Sequence, residues 1–111
     1  MIAARVAAAL GDAVALVIAD AGRTTGAVVA ELRAVYADER DSVLLFIAAD
    51  LPALDRAMLR AAIGPLAIEL APTVRLNALD IATGAADEDV VAAARFLAGA
   101  ASTTGQLLEI S

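Results

Sequence analysis

The sequence predicts an α/β domain, with flanking helices packed in two or three layers on a mostly parallel four-stranded sheet. Three observations carry this. Two continuous apolar runs, Ala13 to Ala19 and Val43 to Ala49, are seven residues each. Unbroken runs of that length, rich in Val, Leu and Ile, mark strands buried on both faces, as in a parallel sheet. Between them Val28, Val29, Leu32 and Val35 recur at helical spacing. Finally, helix and strand signals alternate along the whole chain, which is the pattern of helices crossing over a parallel sheet. The chain has 111 residues, which fits one domain, residues 1–111.

Each element has its own signal. Ile2 to Leu10 places Ile2, Val6 and Leu10 on one helical face, and Gly11-Asp12 stops it. Ala13 to Ala19 is the first strand, ended by Asp20. Gly22 to Thr25 turns the chain, and Thr24 or Thr25 can cap a helix over Gly26 to Tyr36. A charged loop, Asp38 to Asp41, leads to a second strand, Ser42 to Ala49, ended by Asp50. Pro52 suits the first turn of a long helix reaching about Leu70. Pro65 lacks the amide proton and follows Gly64, so it is expected to kink or split that helix. Val74 to Leu79 is the third strand and Thr83 to Ala86 a loop. Asp87 to Ala98 is a helix with three acids in its first turn, and Leu107 to Ile110 is the last strand.

Composition narrows the function. The net charge is −6, all eight basic residues are Arg, and aromatics are limited to Tyr36, Phe46 and Phe96. Phosphate backbones call for a basic footprint and base stacking for aromatic platforms, so nucleic acid is not an expected partner. No apolar stretch reaches membrane-spanning length, no export leader is visible and there is no Cys, so the expected location is the cytoplasm, with no membrane contact. Without Cys, His or Lys there is no thiolate, imidazole base or Schiff base, and no metal site is expected. Chemistry would fall to carboxylates, hydroxyls, Arg, Tyr36, backbone groups or a cofactor.

The closing segment carries motifs. Ala67-Ile68-Glu69-Leu70-Ala71-Pro72, Val74-Arg75-Leu76-Asn77-Ala78-Leu79, Glu88-Asp89-Val90 with Arg95-Phe96-Leu97-Ala98, and Thr104-Gly105-Gln106-Leu107-Leu108-Glu109-Ile110 follow one another. They resemble A-x-E-L-A-P, I-R-V-N-A-I, E-D-V-A-x-x-x-x-F-L-A and T-G-Q-x-L-x-V of the short-chain dehydrogenase/reductase family. Earlier in the chain, Ile2 to Leu10, Ala13 to Asp20, Val28-Val29-Ala30-Glu31-Leu32-Arg33 and Val43 to Asp50 are similar to that family's first helix, second strand, second helix and third strand. The resemblance implies a reduced Rossmann-like domain.

The same resemblance implies losses. The family's T-G-x-x-x-G-x-G turn, which lets backbone amides approach a pyrophosphate, has no counterpart, nor does its N-A-G strand end. Counting back from Glu69, the position of the family's Tyr falls on Pro52 and that of its Lys on Arg56. In the alternative register Leu51 to Ile63 belongs to the helix after the third strand, and the Tyr and Lys are deleted. Either way the catalytic pair is missing, because Pro has no hydroxyl and Arg holds its proton too tightly to tune a phenol. The Pro-Gly pair that usually follows the I-R-V-N-A-I strand is Ile81-Ala82 here. With the central strands gone, the remaining four are expected to pair in a new order or across subunits.

Candidate site residues follow from these readings. Asp20, at a strand end, can hold an adenosine ribose as the resemblance implies, or simply close a turn. Asp50 resembles the residue beside the adenine, or N-caps the helix at Pro52. Asp20, Asp50 and Asp80 are the candidate acids or bases for a non-redox enzyme. Asp80, Thr83 and Gly84 form either a substrate loop or an ordinary polar turn. Asp87, Glu88 and Asp89 are explained by the helix dipole without a metal. Arg23, Arg56, Arg60 and Arg75 can hold an anion, but they are scattered in sequence, and salt bridging among fourteen acids is the easier account. In the resembling family, the helix Asp87 to Ala98 and the strand Leu107 to Ile110 form a two-fold interface, so a homo-oligomer through residues 87–110, or a hetero-oligomer with a full-length reductase, is expected.

Three functions compete. The first is a catalytically degenerate binding or assembly module. The second is a non-redox biosynthetic enzyme such as a cyclase, isomerase or dehydratase. The third is an NAD(P)-dependent oxidoreductase completed by a partner subunit. The first needs no cofactor, and independent redox activity is not expected.

Overall fold

A computed structural model describes residues 2–38 and 40–111. Glu39, in the expected charged loop, lies outside the described residues. The elements run α1 (Ile2–Leu10), β1 (Ala15–Ala19), α2 (Thr25–Ala34), a 3-10 turn (Val35–Asp38), β2 (Ser42–Ile47), α3 (Ala53–Leu70), β3 (Arg75–Ile81), α4 (Asp87–Gly99) and β4 (Leu107–Ile110). The expected α/β architecture is present. All three strand pairings are parallel, and the sheet order is simply chain order, β1-β2-β3-β4. The four strands thus pair within one chain.

Alternation of side chains across the pleat builds two cores. Val17, Val43, Leu45, Ile47, Leu76 and Ala78 point to one face and meet Val28 and Leu32 of α2 and Leu59, Ile63 and Leu66 of α3. Leu44, Phe46, Leu79 and Ile81 point to the other and meet Val6 and Leu10 of α1 and Val90, Ala94 and Leu97 of α4. The domain is therefore three layers, α2/α3 over the sheet over α1/α4. The two central strands are buried on both faces, which explains their unbroken apolar runs.

The placement of α4 has a topological cost. The strands advance in one direction, yet α2 and α3 cross on one face and α4 on the other. The last crossover therefore has the opposite hand to the two before it, against a right-handed rule obeyed in about 98% of such units. What α4 gains is burial. It packs beside α1 and covers Phe46 and Leu79, which would otherwise face water.

Two local expectations are corrected. Of the two outcomes expected at Pro65, a kink or a split, the split does not occur, because the helix runs as one element from Ala53 to Leu70. Pro65 lies on the outer side, while Leu59, Ile63, Leu66 and Leu70 are buried along the inner side. Several buried aliphatic side chains at about 1.5–3 kcal/mol each outweigh the roughly 3 kcal/mol a helical proline costs. Asp50 does not cap α3 either. Pro52 occupies the N-cap position, with no side-chain cap hydrogen bond. At α2 the expected cap is present, with Thr24 Oγ1 accepting from Ala27 N at 3.1 Å.

Candidate functional site at the carboxyl edge of the sheet

In open α/β sheets, ligands bind beyond the carboxyl ends of the strands. Along that edge the chain forms an open depression of about 330 Å³ lined by Ala49, Arg56, Arg60, Asp80, Thr83, Glu109 and Ser111, among others. Its polar part is one ionic cluster. Asp80 lies inside β3, which extends through Ile81 rather than stopping at Leu79, and the residue is only 8% exposed. The parallel register sets Glu109 of β4 directly beside Asp80. Both carboxylates are on the α3 side of the sheet.

Two carboxylates side by side repel each other unless a cation intervenes. Arg56 and Arg60, one turn apart on α3, supply it. The Asp80 oxygens accept from Arg56 and Arg60, one from each, and Arg60 also donates to Glu109. Arg56 further donates to the Ala48 carbonyl at 2.7 Å, so it holds the end of β2 as well. Hydrogen bonding to Glu109, then to Asp80, raises the Arg60 pKa above its usual value, with desolvation opposing. The cluster joins α3, β2, β3 and β4.

The other candidates do not converge on it. Asp20 closes a turn after β1, its Oδ1 accepting from Gly22 N at 3.2 Å. Asp50 is exposed in the turn after β2. Thr83 is exposed and lines the depression, and Gly84 turns the chain beyond it with φ +87°. Of the four arginines, Arg23 pairs with Glu31 and donates to the Ile18 carbonyl at 3.0 Å. Arg75 donates to the Ala100 carbonyl at 2.7 Å. Beside it, buried Asn77 donates to the Thr103 carbonyl and accepts from Gln106 N, each at 3.0 Å. The Arg and Asn of the R-x-N motif thus pin the segment that leads into β4. Asp87, Glu88 and Asp89 occupy the first turn of α4, where Asp87 accepts from Arg5 at 3.0 Å. No acidic cluster able to hold a metal is found among the described residues. Within them, no helix is long and apolar enough to cross a membrane.

Sequence reasoning treated the arginines as scattered and did not single out Glu109. The usable signal was the four-residue spacing of Arg56 and Arg60, which puts both on one side of a helix. The pairing of Asp80 with Glu109 depends on strand order, which no local pattern specifies.

A parallel three-layer α/β domain with its polar depression at the strand ends defines the class. Residues 12–110 match the model of the short chain dehydrogenase-like protein (SDR-like) family, and the chain belongs to that family. No curated protein and no solved structure gives a significant match.

Proposed function

We propose that this family member is catalytically degenerate and serves as a binding or assembly module. One observation carries the reading. Counted back from Glu69, the positions that the family pattern gives to Tyr and Lys fall on Pro52 and Arg56, and in the alternative register the pair is deleted; Arg56 itself is engaged by Asp80 and the Ala48 carbonyl. There is no Lys in the sequence, and Tyr36 follows α2 at the opposite end of the sheet. A phenol tuned by a nearby ammonium, the arrangement that moves a proton in such reductases, has no counterpart among these residues.

The assembly part of the reading rests on residues 87–110. Strand β4 has β3 on one side only, leaving the other edge open. Phe96 on neighbouring α4 is 65% exposed. Open edges and exposed aromatics call for a cover, which a second copy or a reductase subunit supplies. The non-redox enzyme is less well supported. Asp80 is the one candidate carboxylate facing the depression, and both its oxygens already accept from guanidinium groups.

Calorimetric titration with oxidised and reduced dinucleotides, alongside mass by light scattering, tests the proposal. The expected result is no binding heat from a folded oligomer. Micromolar binding would overturn it in favour of an oxidoreductase completed across subunits.

A further inference from the structure

The sheet is open at β1 as well as at β4, and β1 carries no guard within its own sequence. It reads Ala-Leu-Val-Ile-Ala, without a charge or a proline, and has β2 on one side only. Sheets blunt such edges with charges, prolines or bulges, because unpaired amides and carbonyls invite another strand. At the far edge, β4 carries Glu109.

The ladder shows which groups of β1 are free. The Ala19 carbonyl accepts from Ala48 N at 2.9 Å, so Ala19 turns its backbone toward β2. In a parallel ladder alternate residues do the same, which assigns Val17 and Ala15 to β2 and turns the N–H and C=O of Leu16 and Ile18 outward. Arg23 marks the same direction, donating from its side chain to the Ile18 carbonyl at 3.0 Å. Leu16 and Ile18 are also only half-buried, whereas Ala15, Val17 and Ala19 are buried. The backbone and the side chains of the same two residues therefore lack cover.

A second copy supplies both. An antiparallel β1, related by a two-fold axis at Val17, sets Leu16 against Ile18 of the other copy and Ala15 against Ala19. Small residues meet small ones on the α2 side, and aliphatic meets aliphatic on the α1 side. The Leu16 and Ile18 positions are those whose backbones point outward, so each facing pair exchanges both of its hydrogen bonds. Charge agrees. Helix α2 runs back along β1, so Glu31 lies toward the start of the strand and Arg23 just past its end. Within one copy these two residues are paired. The two-fold brings the Arg23 end of each copy to the Glu31 end of the other, so Arg23 can exchange the Ile18 carbonyl for Glu31 of the second copy as the strands join.

We propose that a second copy of this chain adds to the open edge of β1, antiparallel on a two-fold axis at Val17, so that the two four-stranded sheets become one. This edge is opposite β4, so the pairing does not depend on association through residues 87–110.

The chain has no cysteine, so one engineered thiol reports the register. Facing Val17 residues on the axis have Cα atoms about 4.5 Å apart, within reach of a disulfide. Ala15 and its counterpart are about 14 Å apart. After mild oxidation, Val17→Cys should run as a covalent dimer on a non-reducing gel, and Ala15→Cys, on the same buried face, as a monomer. Leu16→Pro removes an amide that the β1–β2 ladder does not use, and should abolish the Val17→Cys crosslink with circular dichroism retained. Arg23→Glu sets like charges across the axis and should weaken the crosslink several-fold, and adding Glu31→Arg should restore it; this pair carries the test if Leu16→Pro fails to fold. Phe96→Glu, which removes the contact proposed at α4, should leave the crosslink intact. Equal crosslinking of Val17→Cys and Ala15→Cys would overturn the inference. So would a Val17→Cys crosslink that survives Leu16→Pro, that is lost with Phe96→Glu, or that the double charge reversal does not restore.

Discussion

Asp80 and Glu109 stand side by side in register on neighbouring parallel strands, and Arg60 bonds to both. The like charges are tolerable only because α3 brings its two arginines over them. Removing Asp80 strands Arg56, whose guanidinium is mostly buried. Asp80→Ala should therefore lower stability by about 2–4 kcal/mol, toward the range for breaking a buried pair. In urea the midpoint should fall with little change in slope. Glu109→Gln, at the exposed end of the cluster, should change the midpoint far less.

The Arg33–Glu69 pair links α2 to α3 with two hydrogen bonds, 2.8 and 3.1 Å. The hydrogen bond from Arg33 lowers the Glu69 pKa from its usual 4.5, with desolvation opposing and the guanidinium charge assisting. A depressed carboxylate contributes stability above its unfolded pKa and loses it as pH falls through the folded value. Glu69→Gln should thus be slightly less stable than the parent near neutral pH. The gap should close as pH falls through the lowered Glu69 value, and high salt should also narrow it.

Core positions on both sides of the sheet should be costly. Phe46 fills the α1/α4 side and is almost wholly buried. Phe46→Ala should lose about 3–5 kcal/mol. Thermal unfolding followed by circular dichroism reads this as a large drop in Tm.

Gly105 has φ +77°, and its amide bonds the Leu76 carbonyl at 2.7 Å just before β4. An alanine there must hold a left-handed backbone, at about 1–2 kcal/mol. Gly105→Ala should lower Tm, and hydrogen exchange should quicken first in β4.

Thr24→Ala removes the α2 cap and should cost about 1 kcal/mol, whereas Thr24→Ser should retain it. Chemical denaturation of the two variants in parallel checks the difference.

Much of the fold was legible because burial writes itself into local pattern. The run around Val43 to Ile47 could be read as a strand because both of its faces are covered, and Val28 with Leu32 as a helix because one face is. The site was less legible. Asp80 was visible as a strand-end acid, but its partners come from α3 and β4, and only the sheet order brings them together. The split expected at Pro65 does not occur, for a related reason. A proline weakens a helix locally, and the burial that overrides it comes from residues on the other side of the same helix.

The sheet order also sets a direction of assembly. Each strand is hydrogen-bonded to the one synthesised just before it, so a chain leaving the ribosome meets its next partner already in place. Helix α1 is the exception. It precedes all four strands, and its Val6 and Leu10 are not fully covered until α4 is released to lie beside it. The α1 side of the core is therefore closed only once α4 is in place.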